Sequence, residues 1–137
     1  MEYTVEAVRQ QAMEFVVTAG SHSVTMDYPL KPDEPGAGPR PLEMLLGSLA
    51  SCAGGSMVAL LRRAGQPLAG LRVTARGDRR SEHPTVFTRI SLEFVVRGPV
   101  DQAVVAQAIA QSESAICPVW AMLKAGTPIA SSFRVEV

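Results

Sequence analysis

A long run without a charged residue, Met44–Leu61, constrains this chain more than any other stretch. Its length is just sufficient to raise the possibility of a membrane span. Glycines and serines interrupt the run, and amphipathic strand-like segments flank it on both sides, so insertion into a bilayer is disfavoured. We therefore predict a buried helix that begins at Pro41, a residue suited to a first helical turn, and ends near Gly65.

The predicted helix is apolar on nearly every side, which a small domain cannot easily accommodate. About six short strands are too little material to cover a helix of this kind on all faces. The pattern therefore predicts that a second subunit covers part of it and that the protein is a homodimer.

Composition indicates one soluble domain, residues 1–137, since 47% of the residues are apolar and 19% are charged. Lysine plus arginine number 13 and aspartate plus glutamate also number 13, so no net charge attracts nucleic acid or an anionic membrane. We expect neither as a partner. The N-terminal segment shows no basic region followed by an apolar stretch, which predicts a cytoplasmic location.

The remaining pattern predicts an α+β fold with antiparallel sheets around the long helix. Short alternating runs predict a three-stranded meander over residues 3–28, with turns at "RQQA" and "GSHS". Further along the chain we predict two strands, two helices and a final strand, at residues 71–76, 86–97, 102–115, 118–124 and 131–137.

Two cysteines are the candidate reactive groups. Cys52 lies in the middle of the predicted helix with small neighbours, and the adjacent Gly54 and Gly55 suggest that another backbone or a ligand approaches that turn. Because the cytoplasm keeps ordinary thiols reduced, a permanent disulfide is not expected, whereas a transient one is possible.

Cys117 precedes Pro118, which excludes the α conformation and makes Cys117 the expected N-cap of the next helix. A helix N-terminus favours the thiolate, so we expect Cys117 to ionise more readily than Cys52. Cysteine is also among the most buried residue types, and a packing role for both is the alternative.

Two motifs resemble those of a known family. The segment "RPLEMLLGSLASC" is similar to the helix-opening motif of the OsmC/Ohr family of thiol-dependent peroxidases, and "ICPVWAML" resembles that family's second cysteine motif. The segment "SEHPTVFTRISLEFVVRG" resembles the long hairpin of a little-characterised OsmC-like branch. The resemblance implies an OsmC-like fold and an intertwined homodimer with active sites at the subunit interface.

The same resemblance implies a cysteine-based peroxidase that reduces organic hydroperoxides to alcohols. Cys52 is then the thiol that forms a sulfenic acid, and Cys117 is the one that resolves it. An external dithiol reductant reopens the disulfide, and no metal or organic cofactor is required. The alternatives are a non-catalytic or redox-sensing dimer that binds a hydrophobic small molecule, and a thiol activity on another electrophile.

Some positions depart from the family's pattern. A glutamate that pairs with a thiolate-holding arginine is expected at position 42, which is leucine here, while Glu43 comes one residue later. Nine residues of ideal helix rotate by about 900°, so Glu43 points away from Cys52 on its own helix. Arg9 is the candidate for the arginine, with Arg40 as its rival, and both could be surface charges. Trp120 replaces a small polar residue, and we expect it to narrow the pocket or to pack.

Overall fold

The computed structural model describes every residue from Met1 to Val137. The chain forms two compact units, Met1–Leu45 and Leu46–Val137. The division falls within the long helix, α1, which extends over Pro41–Arg63. The sequence-based expectation of one domain over residues 1–137 stays a prediction.

The first unit contains the predicted antiparallel meander. Its strands are β1 (Glu6–Gln11), β2 (Glu14–Ala19) and β3 (His22–Met26), in the sheet order β1-β2-β3. The turn between β1 and β2 lies later than predicted. Most residues of the predicted turn "RQQA" belong to β1. The chain reverses at Ala12, whose φ of 44° places it in the left-handed region.

The second unit has a three-stranded sheet in the order β4-β5-β6. Its strands are β4 (Gly70–Arg79), β5 (Phe87–Arg97) and β6 (Ile129–Glu136). β4 and β5 are antiparallel, whereas β5 and β6 are parallel, so this sheet is mixed and not wholly antiparallel as expected. A parallel pair needs a long crossover connection, and the helical segment between β5 and β6 provides it.

That connection begins with α2 (Gln102–Gln111) and ends with α3 (Pro118–Lys124). Asp101 is the N-cap of α2, as predicted, and its carboxylate accepts a hydrogen bond from the backbone N–H of Ala103 at 2.8 Å. Between the two helices lies a π-helical turn, Ser112–Ile116, which the sequence analysis did not predict. It replaces the last turn of the longer α-helix expected there.

The core of the second unit forms where α1 and α2 pack on one face of the sheet. The alternating side chains of β5 supply the sheet's part, as the sequence pattern predicts. The fully buried members of this cluster with 0% exposure are Leu49, Ala53, Met57, Leu61, Phe94, Val96, Val105 and Trp120.

The length and hydropathy of α1 also satisfy the criteria for a membrane-spanning helix, with 33% of its apolar window buried within the chain. A core helix of a water-soluble protein satisfies the same criteria, so they are weak evidence for a span. The contacts of Leu49, Ala53, Met57 and Leu61 in the core agree with the buried helix that we predicted.

Two buried serines allow a test of the core. Ser56 Oγ donates a hydrogen bond to the carbonyl oxygen of Cys52 at 3.1 Å, whereas the buried Ser112 Oγ has no partner in the chain. Removing an unpaired buried hydroxyl relieves a desolvation cost, so Ser112→Ala should raise the free energy of unfolding by about 1 kcal/mol. The matched variant Ser56→Ala should not raise it. Urea unfolding measures both, and a clear loss of stability in Ser112→Ala would show that its hydroxyl has a partner.

Candidate functional site

Cys117 is the N-cap of α3, as its place before Pro118 predicted. Its backbone is extended, with φ −77° and ψ 109°, and Pro118 occupies the first helical position. The backbone N–H of Trp120 donates to Cys117 Sγ at 3.4 Å. The local sequence therefore fixes the direction of this thiol.

The π-helical turn Ser112–Ile116 fixes Cys117 from the other side. The backbone N–H of Cys117 donates to the carbonyl oxygen of Ser112 at 2.9 Å, which closes this wider turn. Lys124 Nζ donates to the carbonyl oxygen of Glu113 at 3.2 Å and so ties the end of α3 to the same turn. Cys117 is held between two helical segments that are connected to each other.

Cys52 lies in the part of α1 that belongs to the second unit. It is partly buried and packs against the apolar core. Among its neighbours one turn away, Leu49 and Ser56 are buried, whereas Ser48 and Gly55 are exposed. Cys52 is thus at the border between the buried and the exposed face of the helix.

The fold brings the two thiols together. Burial raises the pKa of Cys117, which is 1% exposed, and a side-chain hydrogen bond and a Coulomb interaction with Cys52 raise that pKa further. The backbone N–H groups of Trp120 and Val119 act in the opposite direction. The expectation that Cys117 ionises readily is therefore wrong, because the cost of burial exceeds the help from the helix N-terminus.

Glu43 and Arg9 belong to the first unit, where each has a local partner. Glu43 Oε1 accepts a hydrogen bond from the backbone N–H of Arg40 at 2.9 Å, so this carboxylate caps the N-terminus of α1. Arg9 Nε donates to the carbonyl oxygen of Ala12 at 2.8 Å, beside the first turn. The guanidinium of Arg40 lies 5.8 Å from the centre of the Tyr28 ring. The catalytic roles assigned to Arg9 and Glu43 stay predictions.

Trp120 is fully buried at the start of α3. Its ring stacks on Phe94 with centroids 6.2 Å apart and planes inclined by 21°. Its indole Nε1, like Ser112 Oγ, is buried without a hydrogen-bond partner in the chain. Neither unpaired group was predicted, because no local pattern in a sequence indicates whether a buried polar atom finds a hydrogen-bond partner.

The raised pKa of Cys117 predicts a loss of stability at alkaline pH. Below the pKa of the unfolded thiol, about 8.5, both states hold the proton. Above it the unfolded chain releases the proton first, so the free energy of unfolding falls until the folded thiol also ionises. In reducing buffer the wild type should lose on the order of 1 kcal/mol more than Cys117→Ala between about pH 8 and about pH 10. Urea unfolding measures both proteins. Equal losses of unfolding free energy in the wild type and in Cys117→Ala would contradict this account.

Comparison with known proteins identifies the family to which this fold belongs. The model of the OsmC-like protein family matches residues 32–132. Protein YhfA of Escherichia coli K12 is 31% identical over 119 residues, which cover 86% of each chain.

Two crystal structures show the same fold. The OsmC-like protein of Mycoplasma pneumoniae aligns over 100% of this chain and 99% of its own, with a TM-score of 0.89 and 18% identity. The organic hydroperoxide resistance protein OhrB of Bacillus subtilis aligns over 98% of both chains, with a TM-score of 0.70 and 12% identity. From the match of the family model and the identity to YhfA, together with the fold, we conclude that this chain belongs to the OsmC-like family.

Proposed function

We propose that this protein is a cysteine-based peroxidase that reduces organic hydroperoxides to alcohols. The interaction between a partly exposed Cys52 and a buried Cys117 is the observation that carries the proposal. OhrB, a protein of the same fold, is an organic hydroperoxide resistance protein, which supports the same class of substrate. The protein would act in the cytoplasm without a metal or organic cofactor.

In the first step, the thiolate of Cys52 attacks the terminal oxygen of the hydroperoxide and the O–O bond breaks. The alkoxide leaves and takes up a proton to become the alcohol, while Cys52 becomes a sulfenic acid. Partial exposure suits Cys52 to this encounter. Cys117 is 1% exposed and is shielded from direct attack on the peroxide.

In the second step, the sulfur of Cys117 attacks the sulfenyl sulfur of Cys52. A disulfide forms and the hydroxyl leaves as water with the proton that Cys117 gives up. The contact between the two thiols means that little movement is needed for this step. An external dithiol then reduces the disulfide by exchange and returns both cysteines to thiols.

The surroundings favour a substrate with a hydrocarbon part. Cys117 belongs to the apolar core, and Cys52 packs against the same core one helical turn from Leu49. Removing apolar surface of a substrate from water contributes about 25 cal/mol for each Å², whereas hydrogen peroxide has none to bury. We therefore propose that alkyl or aryl hydroperoxides react faster than hydrogen peroxide.

We predict that one equivalent of cumene hydroperoxide converts the wild type to an intrachain Cys52–Cys117 disulfide. Cys52→Ser should not react, because a serine hydroxyl is too weak a nucleophile at neutral pH. Cys117→Ser should stop at the sulfenic acid of Cys52, which dimedone traps. Mass spectrometry distinguishes the three products.

If both wild-type thiols stay reduced under excess organic hydroperoxide, the peroxidase proposal fails. The second candidate is then a dimer that binds a hydrophobic small molecule. A cleft of about 330 Å³ favours it, since residues of α1 and β4 line this cleft with mostly apolar side chains, including Val58, Leu71 and Val73.

We also propose that the active protein is a homodimer, with α1 in the interface. Positions spaced by four residues on α1, Gly47, Ser51, Gly55 and Ala59, are exposed and together form a stripe of small residues. A Cβ at Gly47 or at Gly55 would meet no atom of this chain within 4 Å. Each of these glycines costs the helix about 1 kcal/mol relative to alanine, a cost that close approach of a second backbone would explain.

Gly54 differs from these glycines, because a contact within this chain explains why it has no side chain. A Cβ there would lie 3.3 Å from Val73 Cγ2, so the absence of a side chain lets α1 pack closely on β4. From the sequence, we expected Gly54 and Gly55 to share one cause. Gly54 fits a contact within the chain, whereas Gly55 supports the proposed contact with another subunit.

Sedimentation at micromolar concentration should show a dimer for the wild type. Gly55→Arg should shift the protein to monomer, because a charged side chain would enter the interface. Ser81→Arg adds the same charge in the exposed loop between β4 and β5 and should remain dimeric. A wild type that sediments as a folded monomer, or an unaffected Gly55→Arg dimer, would refute the proposed interface.

A further inference from the structure

The presence of tryptophan at position 120 is not explained by packing alone. The side chain is fully buried against Phe94, yet its indole N–H has no acceptor in the chain. A phenylalanine would also place an aromatic ring in the core and would leave no buried donor unpaired, but it fills less space than an indole. The large ring at this position therefore suggests a role beyond filling the core.

Trp120 is suited to control Cys117. Cys117 is the N-cap of α3, and Trp120 follows it by three positions in the first turn of that helix. Both belong to the same buried cluster, and the backbone N–H of Trp120 also donates to Cys117 Sγ. Trp120 is 0% exposed and Cys117 is 1% exposed, so both side chains are closed off from solvent.

No charged side chain near Cys117 stabilises its thiolate and so compensates for its burial. The titratable group that acts on it is Cys52, which raises its pKa, and the groups that lower the pKa are backbone N–H groups of Val119 and Trp120. Glu113 and Lys124, from the turn before it and the helix after it, form an ion pair at 3.8 Å near the surface. The other charged side chains on α1 and β5 lie partly or fully exposed: Glu43, Arg62, Arg63, Arg89, Glu93 and Arg97.

We propose that Trp120 is a positioning residue that keeps the Cys117 thiol dry and thereby slows its attack on an oxidised Cys52. This inference rests on the proposed peroxidase function for its biological meaning. The attacking species in disulfide formation is the thiolate, which a dry and neutral site disfavours. The consequence is a long-lived sulfenic acid at Cys52, which an external thiol can intercept before Cys117 closes the disulfide.

The closing step can be measured without any peroxide. Ellman's reagent converts the partly exposed Cys52 to a mixed disulfide and releases one thionitrobenzoate. Cys117 then attacks the sulfur of Cys52, forms the intrachain disulfide and releases the second thionitrobenzoate, whose absorbance gives the rate. Blocking Cys52 in this way also removes the one titratable neighbour that acts on Cys117.

Trp120→Ser should close the disulfide faster than the wild type near neutral pH. Each unit by which the thiol pKa falls raises the thiolate fraction tenfold and lowers its nucleophilicity by about threefold, which leaves a net gain of about threefold. The closure rate of the wild type should still rise above about pH 8.5, whereas that of the variant should level off at a lower pH. Met122→Ala, at a position on α3 that is 68% exposed, should behave as the wild type.

Trp120→Leu provides a second variant that retains an apolar side chain if Trp120→Ser does not fold, and it should also close faster. Unchanged closure rates and pH profiles in both variants would overturn the inference. A wild-type profile that levels off at or below about pH 8.5 would overturn it as well, whatever the variants do. Failure of peroxide to oxidise Cys52 would refute the proposed function but would leave this measurement valid.

Discussion

The packing of α1 on the sheet of the second unit determines where the chemistry can occur. Gly54 lets the helix approach Val73 of β4, and the buried residues Leu49, Ala53 and Met57 hold the helix in one rotational setting. With that setting fixed, Cys52 falls at the border between the core and the exposed face. A helix rotated by a third of a turn would bury this thiol completely or remove it from Cys117.

The second thiol is controlled by local backbone geometry. Pro118 makes Cys117 an N-cap, the π-helical turn supplies the acceptor for its backbone N–H, and the backbone N–H of Trp120 donates to its sulfur. One cysteine is accessible and the other is dry, although the two interact. This asymmetry is what a cycle of attack followed by resolution requires, and it is why we assign the two roles in this order.

The strong local signals in the sequence predicted much of this arrangement. The uncharged run with Pro41 located α1, the alternation in β5 gave the buried face of the sheet, and Pro118 gave the N-cap. The parallel β5–β6 pair was missed because it depends on contacts between distant segments, and the π-helical turn was missed because such turns are rare and their sequences resemble those of ordinary α-helices. The ionisation of Cys117 was mispredicted for a similar reason. A helix N-terminus is visible in the sequence, whereas the burial that outweighs it arises only when the core forms.

The central claim is a two-step oxidation of the paired thiols, and Trp120, the only tryptophan, lies beside Cys117 as a natural reporter. Stopped-flow fluorescence after mixing with cumene hydroperoxide tests the claim directly. We predict a first phase whose rate rises with peroxide concentration and a slower second phase that is independent of peroxide and absent from Cys117→Ser. A single phase that is unchanged in Cys117→Ser, or no response to excess hydroperoxide, would contradict the account.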